Sequence, residues 1–225
     1  MFILFIFLSL SCSSYGPPPP NIHIAKSQLS NHKKVALTVT SSELDVKYSR
    51  ADFSLLSPLA AMFGVLPFLA VLGIEEASDS KKDHSRAIII QESTTKQYLE
   101  KLLGDNFIER IRTTNPFYIG SRHHDRPQTL ITEGFDALIE LRVEDLCLKR
   151  KSYSEVLEVY LLVTGKMISL HDNKIIWSQR EEDLSDEVHT YDAYKDDNAS
   201  ILKGILEKMF HKIAVRMAND IIFSK

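Results

Sequence analysis

Eight apolar residues near the end of the 225-residue sequence constrain the fold most. Leu202, Ile205, Leu206, Met209, Phe210, Ile213, Met217 and Ile221 recur at steps of three and four, the spacing that lines one side of an α-helix. Lys203, Glu207, Lys208, Lys212, Arg216 and Asp220 fall mostly on the other side. This predicts an amphipathic helix starting near Asp197 or Asn198, its cap. A stripe of that length must be buried against something broad, and the residues before it supply a sheet.

Val35, Leu37 and Val39 alternate with smaller or polar neighbours, the period of a strand with one buried face. Leu44, Val46 and Tyr48 alternate more weakly, as a second strand or an extended loop. Phe135, Ala137, Ile139, Leu141 and Val143 alternate with Asp136, Leu138, Glu140, Arg142 and Glu144. The phase slips after Asp145, which predicts a bulge or a strand end. Leu157, Val159, Leu161 and Val163 share one face of the next strand, and Lys166 to Leu170 extend it. His171-Asp172-Asn173-Lys174 then turns into Ile175-Ile176-Trp177-Ser178 as a hairpin.

Ala87 to Ile90 reads either as a short buried strand or as the lead-in to a helix. Thr94 and Gln97 have capping-box spacing, so a helix is expected through Leu99, Leu102 and Leu103, ending at Gly104. Asn106 to Ile111 would follow as a brief strand or a further turn, and Asn115 to Pro127 as turns. Glu181 to Asp197 reads as an acidic, solvated face or loop. The fold class is therefore α/β or α+β: one small sheet, helices packed mainly on one face, and a long C-terminal amphipathic helix.

The start of the sequence is unlike this body. Residues 1–11 carry no charge, and Cys12-Ser-Ser-Tyr-Gly-Pro-Pro-Pro-Pro20 cannot form a helix or a central strand. Phe2 to Leu10 is long enough for a secretory signal but too short to span a bilayer. Leu8-Ser9-Leu10-Ser11-Cys12 resembles the lipobox of bacterial lipoproteins. It departs from that pattern in lacking Lys or Arg before the apolar core and in having Ser9 where leucine is favoured. The resemblance implies cleavage before Cys12, a diacylglycerol on its thiol and an acyl chain such as palmitate on its new amino group. More than one chain gives stable anchoring. The expected division is a signal peptide at 1–11, a lipidated, Pro-rich tether at 12–32 and a single αβ domain at 33–225.

Within that domain, residues 53–74 form a 22-residue run with no ionisable side chain. Pro58, Gly64 and Pro67 interrupt it, so a spanning helix, two short apolar pieces against a membrane or partner, and a buried insertion all fit. Phe53, Leu55, Leu56, Leu59, Met62, Phe63, Leu66, Phe68, Leu69 and Leu72 are its candidate contact residues.

No catalytic, cofactor-binding or metal-binding residue is expected. His123-His124-Asp125 is flanked by Arg122 and Arg126, which repel a cation, and the acidic run after Glu181 lacks the spacing of a calcium loop. Nucleophile-elbow, dinucleotide and P-loop patterns are missing. Cys147 reads as an inert buried thiol, and Trp177 as a core residue. A net charge of -3 without a dense Lys/Arg cluster argues against nucleic acid. An enzyme would need polar groups such as His123, Asp125, Asp183 and Asp186 to converge. A module for an exported polymer or small ligand would need a groove exposing Phe117, Tyr118, Tyr191 and Tyr194.

The order of elements is also similar to accessory lipoproteins of envelope transport and secretion, including the curli-secretion channel family. The similarity is carried by Cys12, Val35 to Val39, Leu102-Leu103-Gly104 before Phe107, Gly134 to Val143, Tyr160 to Gly165, Asn173 to Trp177 and the C-terminal helix. It implies a lipid-held αβ domain in the periplasm, at the outer membrane, with envelope protein partners or self-association, and no catalytic residue.

Overall fold

The computed structural model describes residues 20–47, 90–114, 116–121, 127–150 and 155–223. The leader, Cys12, the uncharged run at 53–74 with its ten candidate contacts, and His123 to Asp125 lie outside the described residues. Those described form a six-stranded mixed sheet with helices mostly on one face, the architecture expected from the periodicities.

A short helix α1 (Lys26–Leu29) precedes β1 (Lys34–Ser41) and β2 (Asp45–Lys47); a helical turn at 90–93 leads to α2 (Lys96–Thr114). Then come β3 (Tyr118–Ser121), α3 (Pro127–Thr132), β4 (Ala137–Arg150), β5 (Val156–Ser169), β6 (Ile175–Thr190) and α4 (Tyr191–Ile222). The sheet runs β3-β1-β4-β5-β6, with β2 alongside the last part of β4. β1 is parallel to β3 and β4, whereas β5 and β6 follow as antiparallel hairpins. The slip expected after Asp145 is a bulge slightly earlier, between Val143 and Asp145, past which β4 continues to Arg150.

Odd-numbered residues of β1 and of the first half of β4 face the helices. Val35, Leu37, Ile139, Leu141 and Val143 are buried there with Leu99, Leu103, Phe107 and Ile111 of α2 and with the whole apolar stripe of α4. The regular part of α4 begins where its cap was expected, because Asp197, Asn198 and Ala199 take positive φ and break the helix from its first turns. Gly165 of β5 makes this layer possible. A Cβ there would lie 2.6 Å from Met217 Cε and 2.7 Å from Trp177 Cη2, so only hydrogen lets both side chains cross the strand.

Four sequence expectations are corrected. α2 does not stop at Gly104 but runs on to Thr114, so Asn106 to Ile111 is helical. Gly104 is a contact residue, whose added Cβ would meet Val39 Cγ2 at 3.3 Å. The cap is Thr95, which accepts from the Tyr98 amide at 3.3 Å, while Thr94 donates to Ile90 O. The turn region 115–127 holds β3, and α3 begins at its last residue, with Pro127 at the first helical position, where no N–H is needed. Gly134 at φ 77 ends the latter, its amide bonding to Ile131 O and that of Phe135 to Leu130 O. Of the two readings of the acidic stretch, the loop is overturned: β6 continues through it to Thr190, and several of its residues stay exposed.

Residues 20–32, read as the last part of a tether, are also packed. Ile22 bridges Ser178 on the edge of β6, and Ile24 and Leu29 are buried in the main core.

Candidate functional site

The polar groups that an enzyme would need are not gathered among the described residues. Asp183 lies on the face of β6 toward α4 and is held by Lys212 Nζ at 2.6 Å, with Arg216 at 3.8 Å. Asp186 is exposed, in a stretch where β6 bulges against β5. No group of three His, Cys, Asp or Glu among the described residues is placed to hold a metal ion. Cys147 is a buried thiol and Trp177 a core residue, as expected. The aromatic groove is not formed: Phe117 and Tyr194 are core residues, while Tyr118 and Tyr191 belong to opposite edges of the sheet. Packing decides this, because Phe117 precedes an edge strand and Tyr194 fills the space under the break in α4.

The most heavily constrained polar junction joins the start of the described chain to its end. The segment 20–24 runs antiparallel to β6, exchanging two backbone hydrogen bonds between Ile22 and Ser178 at 2.8 and 2.9 Å. Ser178 Oγ donates to Pro20 O at 2.7 Å. His23 Nδ1 donates to Asp220 of α4 at 3.1 Å, and Trp177 Nε1 donates to the same carboxylate at 2.8 Å. Ile24, the next residue to face inward, is buried beside them. This strap is tied to a strand and a helix at once. Sequence reasoning missed it because prolines dominate the preceding stretch.

Asp220 begins a ladder. Arg216, Lys212 and Lys208 follow at successive turns of α4 and pair with Glu181 at 3.2 Å, Asp183 at 2.6 Å and Glu187 at 2.7 Å. Four helical residues rise about 6 Å and two strand residues span about 6.8 Å, so Glu181 and Asp183 match consecutive turns. The longer step to Glu187 is taken up by the β6 bulge. These pairs explain why an acidic sequence forms a strand: its inward carboxylates meet cations.

A second polar group lies where β1 and β4 begin. Asp136 Oδ2 accepts from the backbone amides of Lys33 and Lys34 at 2.9 and 3.0 Å, and His171 Nε2 is 3.7 Å from Oδ1. Burial alone would raise this carboxyl, but the two amides outweigh it and hold it below its usual range. His32 is almost fully buried nearby, and burial pushes it down, toward the neutral imidazole, against the pull of Asp136. With Asp136 clamping two strand starts, the group fastens β1 to β4.

The sheet face away from α2 and α4 is different in chemistry. Glu140 and Lys166 pair across β4 and β5 at 2.7 Å, Thr164 donates to Glu144 at 2.9 Å, and Tyr160 donates to Glu182 at 3.2 Å. Lys149 sits 3.2 Å above the Tyr160 ring. Only α3 among the described helices lies on this face, through the small cluster of Leu130 with Ala36, Phe135, Leu138 and Leu170.

No protein-family model matches the sequence, and no curated protein matches it. Similarity to solved structures is long but distant. A hypothetical protein from Chlamydia trachomatis is 8% identical over 86% of this chain and 99% of its own, with a TM-score of 0.46. A minor lipoprotein from Acinetobacter baumannii is 10% identical over 85% and 92%, with a TM-score of 0.37. A lipoprotein from Neisseria meningitidis is 10% identical over 81% and 98%, with a TM-score of 0.32. Two of these three are lipoproteins by name, and a TM-score below 0.5 extends nothing from them to this chain. The expected resemblance to the curli-secretion channel family finds no support in them.

Proposed function

We propose that this chain is a non-catalytic lipoprotein of the bacterial envelope, anchored through Cys12 and serving as an assembly or accessory component of a transport, secretion or biogenesis complex. Its body faces the periplasm from the outer membrane, and residues 53–74 contact the membrane or an envelope partner. The observation that carries the reading is the strap. A lipid anchor positions a folded body only if the chain between them is fastened to that body, and residues 20–24 are fastened to both β6 and α4. Cys12 lies eight residues before Pro20, a short lead. No described helix is long and apolar enough to cross a membrane.

The test replaces Cys12 by Ser in the full chain and follows incorporation of a labelled fatty acid together with membrane fractionation. Loss of both the label and sedimentation with membranes is expected. Undiminished membrane association with no change in label would overturn the anchor. A chain lacking 53–74, compared in a pull-down from solubilised membranes, should lose a partner while keeping its fold. Loss of folding would instead make the run part of the core.

A further inference from the structure

Five described positions take positive φ, and three of them are consecutive. Gly134 ends α3 and Asn173 sits in the turn between β5 and β6, single places where the left-handed region suits glycine or asparagine. Asp197, Asn198 and Ala199 follow one another inside α4, at φ 49, 53 and 58 with ψ 50, 39 and 34. Together they make most of one left-handed turn. L-residues visit that conformation singly, because Cβ crowds the following carbonyl oxygen, and a run of three repeats the penalty. The short polar side chains of Asp197 and Asn198 ease it. Ala199 has no such relief, and it is buried at 1% exposure.

Backbone this strained persists only where its surroundings over-determine it. Here it is held from both sides. After the turn, Leu202, Ile205 and Leu206 fix the regular part of α4 in the core, and the ladder to β6 fastens its outer side. Before the turn, one side chain does most of the holding, since Tyr194 is the single buried residue between Tyr191 and Asn198. Its hydroxyl donates to Leu157 O at 3.1 Å, and the ring of His189, which is paired with Leu157, meets it edge-on at 5.4 Å. Thr190 Oγ accepts from the Ala193 amide at 3.3 Å. Ser93 Oγ, on the helical turn at 90–93, donates to Asn198 Oδ1 at 3.1 Å.

The two sides are unequal, so the strain is released on the weaker one. Withdrawal of Tyr194 lets residues 197–199 return to negative φ without disturbing the apolar stripe beyond them. Segments with few buried contacts open locally at a fraction of the global unfolding free energy. Asp192, Lys195, Asp196, Asp197 and Asn198 are exposed, which leaves little besides Tyr194 to resist.

We infer that residues 197–199 are a strained joint, and that Tyr191 to Asp196 is a clasp hung from it, closed by Tyr194 over the paired Leu157 and His189 and opening as a unit while the rest of α4 stays packed. The clasp goes beyond the envelope reading and does not depend on the anchor. Its opening parts Tyr194 from the start of β5 and Asn198 from Ser93, uncoupling in one movement two regions that the closed form ties together.

Two measurements on the full chain test it. At exposed Asp197, a regular helix favours alanine over glycine, whereas a left-handed position favours glycine. Asp197→Gly should therefore melt above Asp197→Ala by about 2–4 °C; equal or reversed order would remove the joint and overturn the inference. Thiol labelling then reads the opening, in a Cys12→Ser background with buried Cys147 as the slow reference. Ala199→Cys reports the joint and Ala214→Cys the packed part of α4, both at buried positions. The thiol at 199 should react about a hundredfold faster than the one at 214, several-fold faster still when Ser93→Ala or Tyr194→Phe is added, and more slowly with Asp197→Gly than with Asp197→Ala. A common rate at 199 and 214 would show that the clasp opens only with the whole domain, and would overturn the inference. The melting comparison, made at an exposed residue, stands whether or not a buried cysteine is tolerated.

Discussion

The two faces of the sheet are built from the same strands and obey opposite rules. On the face toward α2 and α4, side chains interlock so closely that Gly165 has to be bare for Trp177 and Met217 to meet over it. On the other face, side chains mostly pair laterally along the surface, as Glu140 does with Lys166. One face is set by shape, where each residue depends on neighbours from distant elements. The other is set by charge in water, where each pair is nearly self-contained. The first should therefore be brittle to substitution and the second forgiving.

The largest effect should come from Phe210→Ala. Its ring is fully buried between α4 and the sheet, and truncation is expected to cost about 3–5 kcal/mol in urea unfolding. A cost below about 1 kcal/mol would mean that the helical layer is not packed as described. Next comes Tyr194, whose hydroxyl donates to Leu157 O at 3.1 Å and whose pKa burial pushes up to about 12. Because the folded phenol holds its proton more tightly than the unfolded one, its contribution is full below about pH 10 and is lost as pH rises through about 12. Urea midpoints measured from pH 8 to 12 should fall steeply in the parent and less steeply in Tyr194→Phe. Equal slopes would remove the phenol from the alkaline transition. The smallest effect should be Lys166→Ala on the other face, where both partners are more than a third exposed and the expected change is about 0.5 kcal/mol or less. A larger loss would show that this face is covered and would erase the contrast.

Where one face is wet and the other dry, period alone reveals an element, and so β1, β4, β5 and the α4 stripe were all readable. Three places escaped for separate reasons. Gly104 carries the usual mark of a helix end, but its bare Cα serves the contact with Val39, a fact about two elements at once. Glu181 to Thr190 is polar on both faces, so no alternation survives; Arg216, Lys212 and Lys208 that make its inner face tolerable come later in the chain. The strap is hidden by scale, since Ile22 is two residues after a proline run and its partner Ser178 lies more than 150 residues away. The site residues were the least legible part. The polar junction of Pro20, His23, Trp177, Ser178 and Asp220, gathered from a strap, a strand and a helix end, has no contiguous signature.

The bond between His23 and Asp220 spans 197 positions of the sequence. A chain made from its first residue onward cannot close that contact until α4 is all but complete, and by then every other element is already synthesised. Closure of so long a loop is among the slower steps in folding. The strap therefore acts as a clock as well as a fastening: its bonds to Ser178 wait for β6, and its bond to Asp220 waits for the last turns of α4.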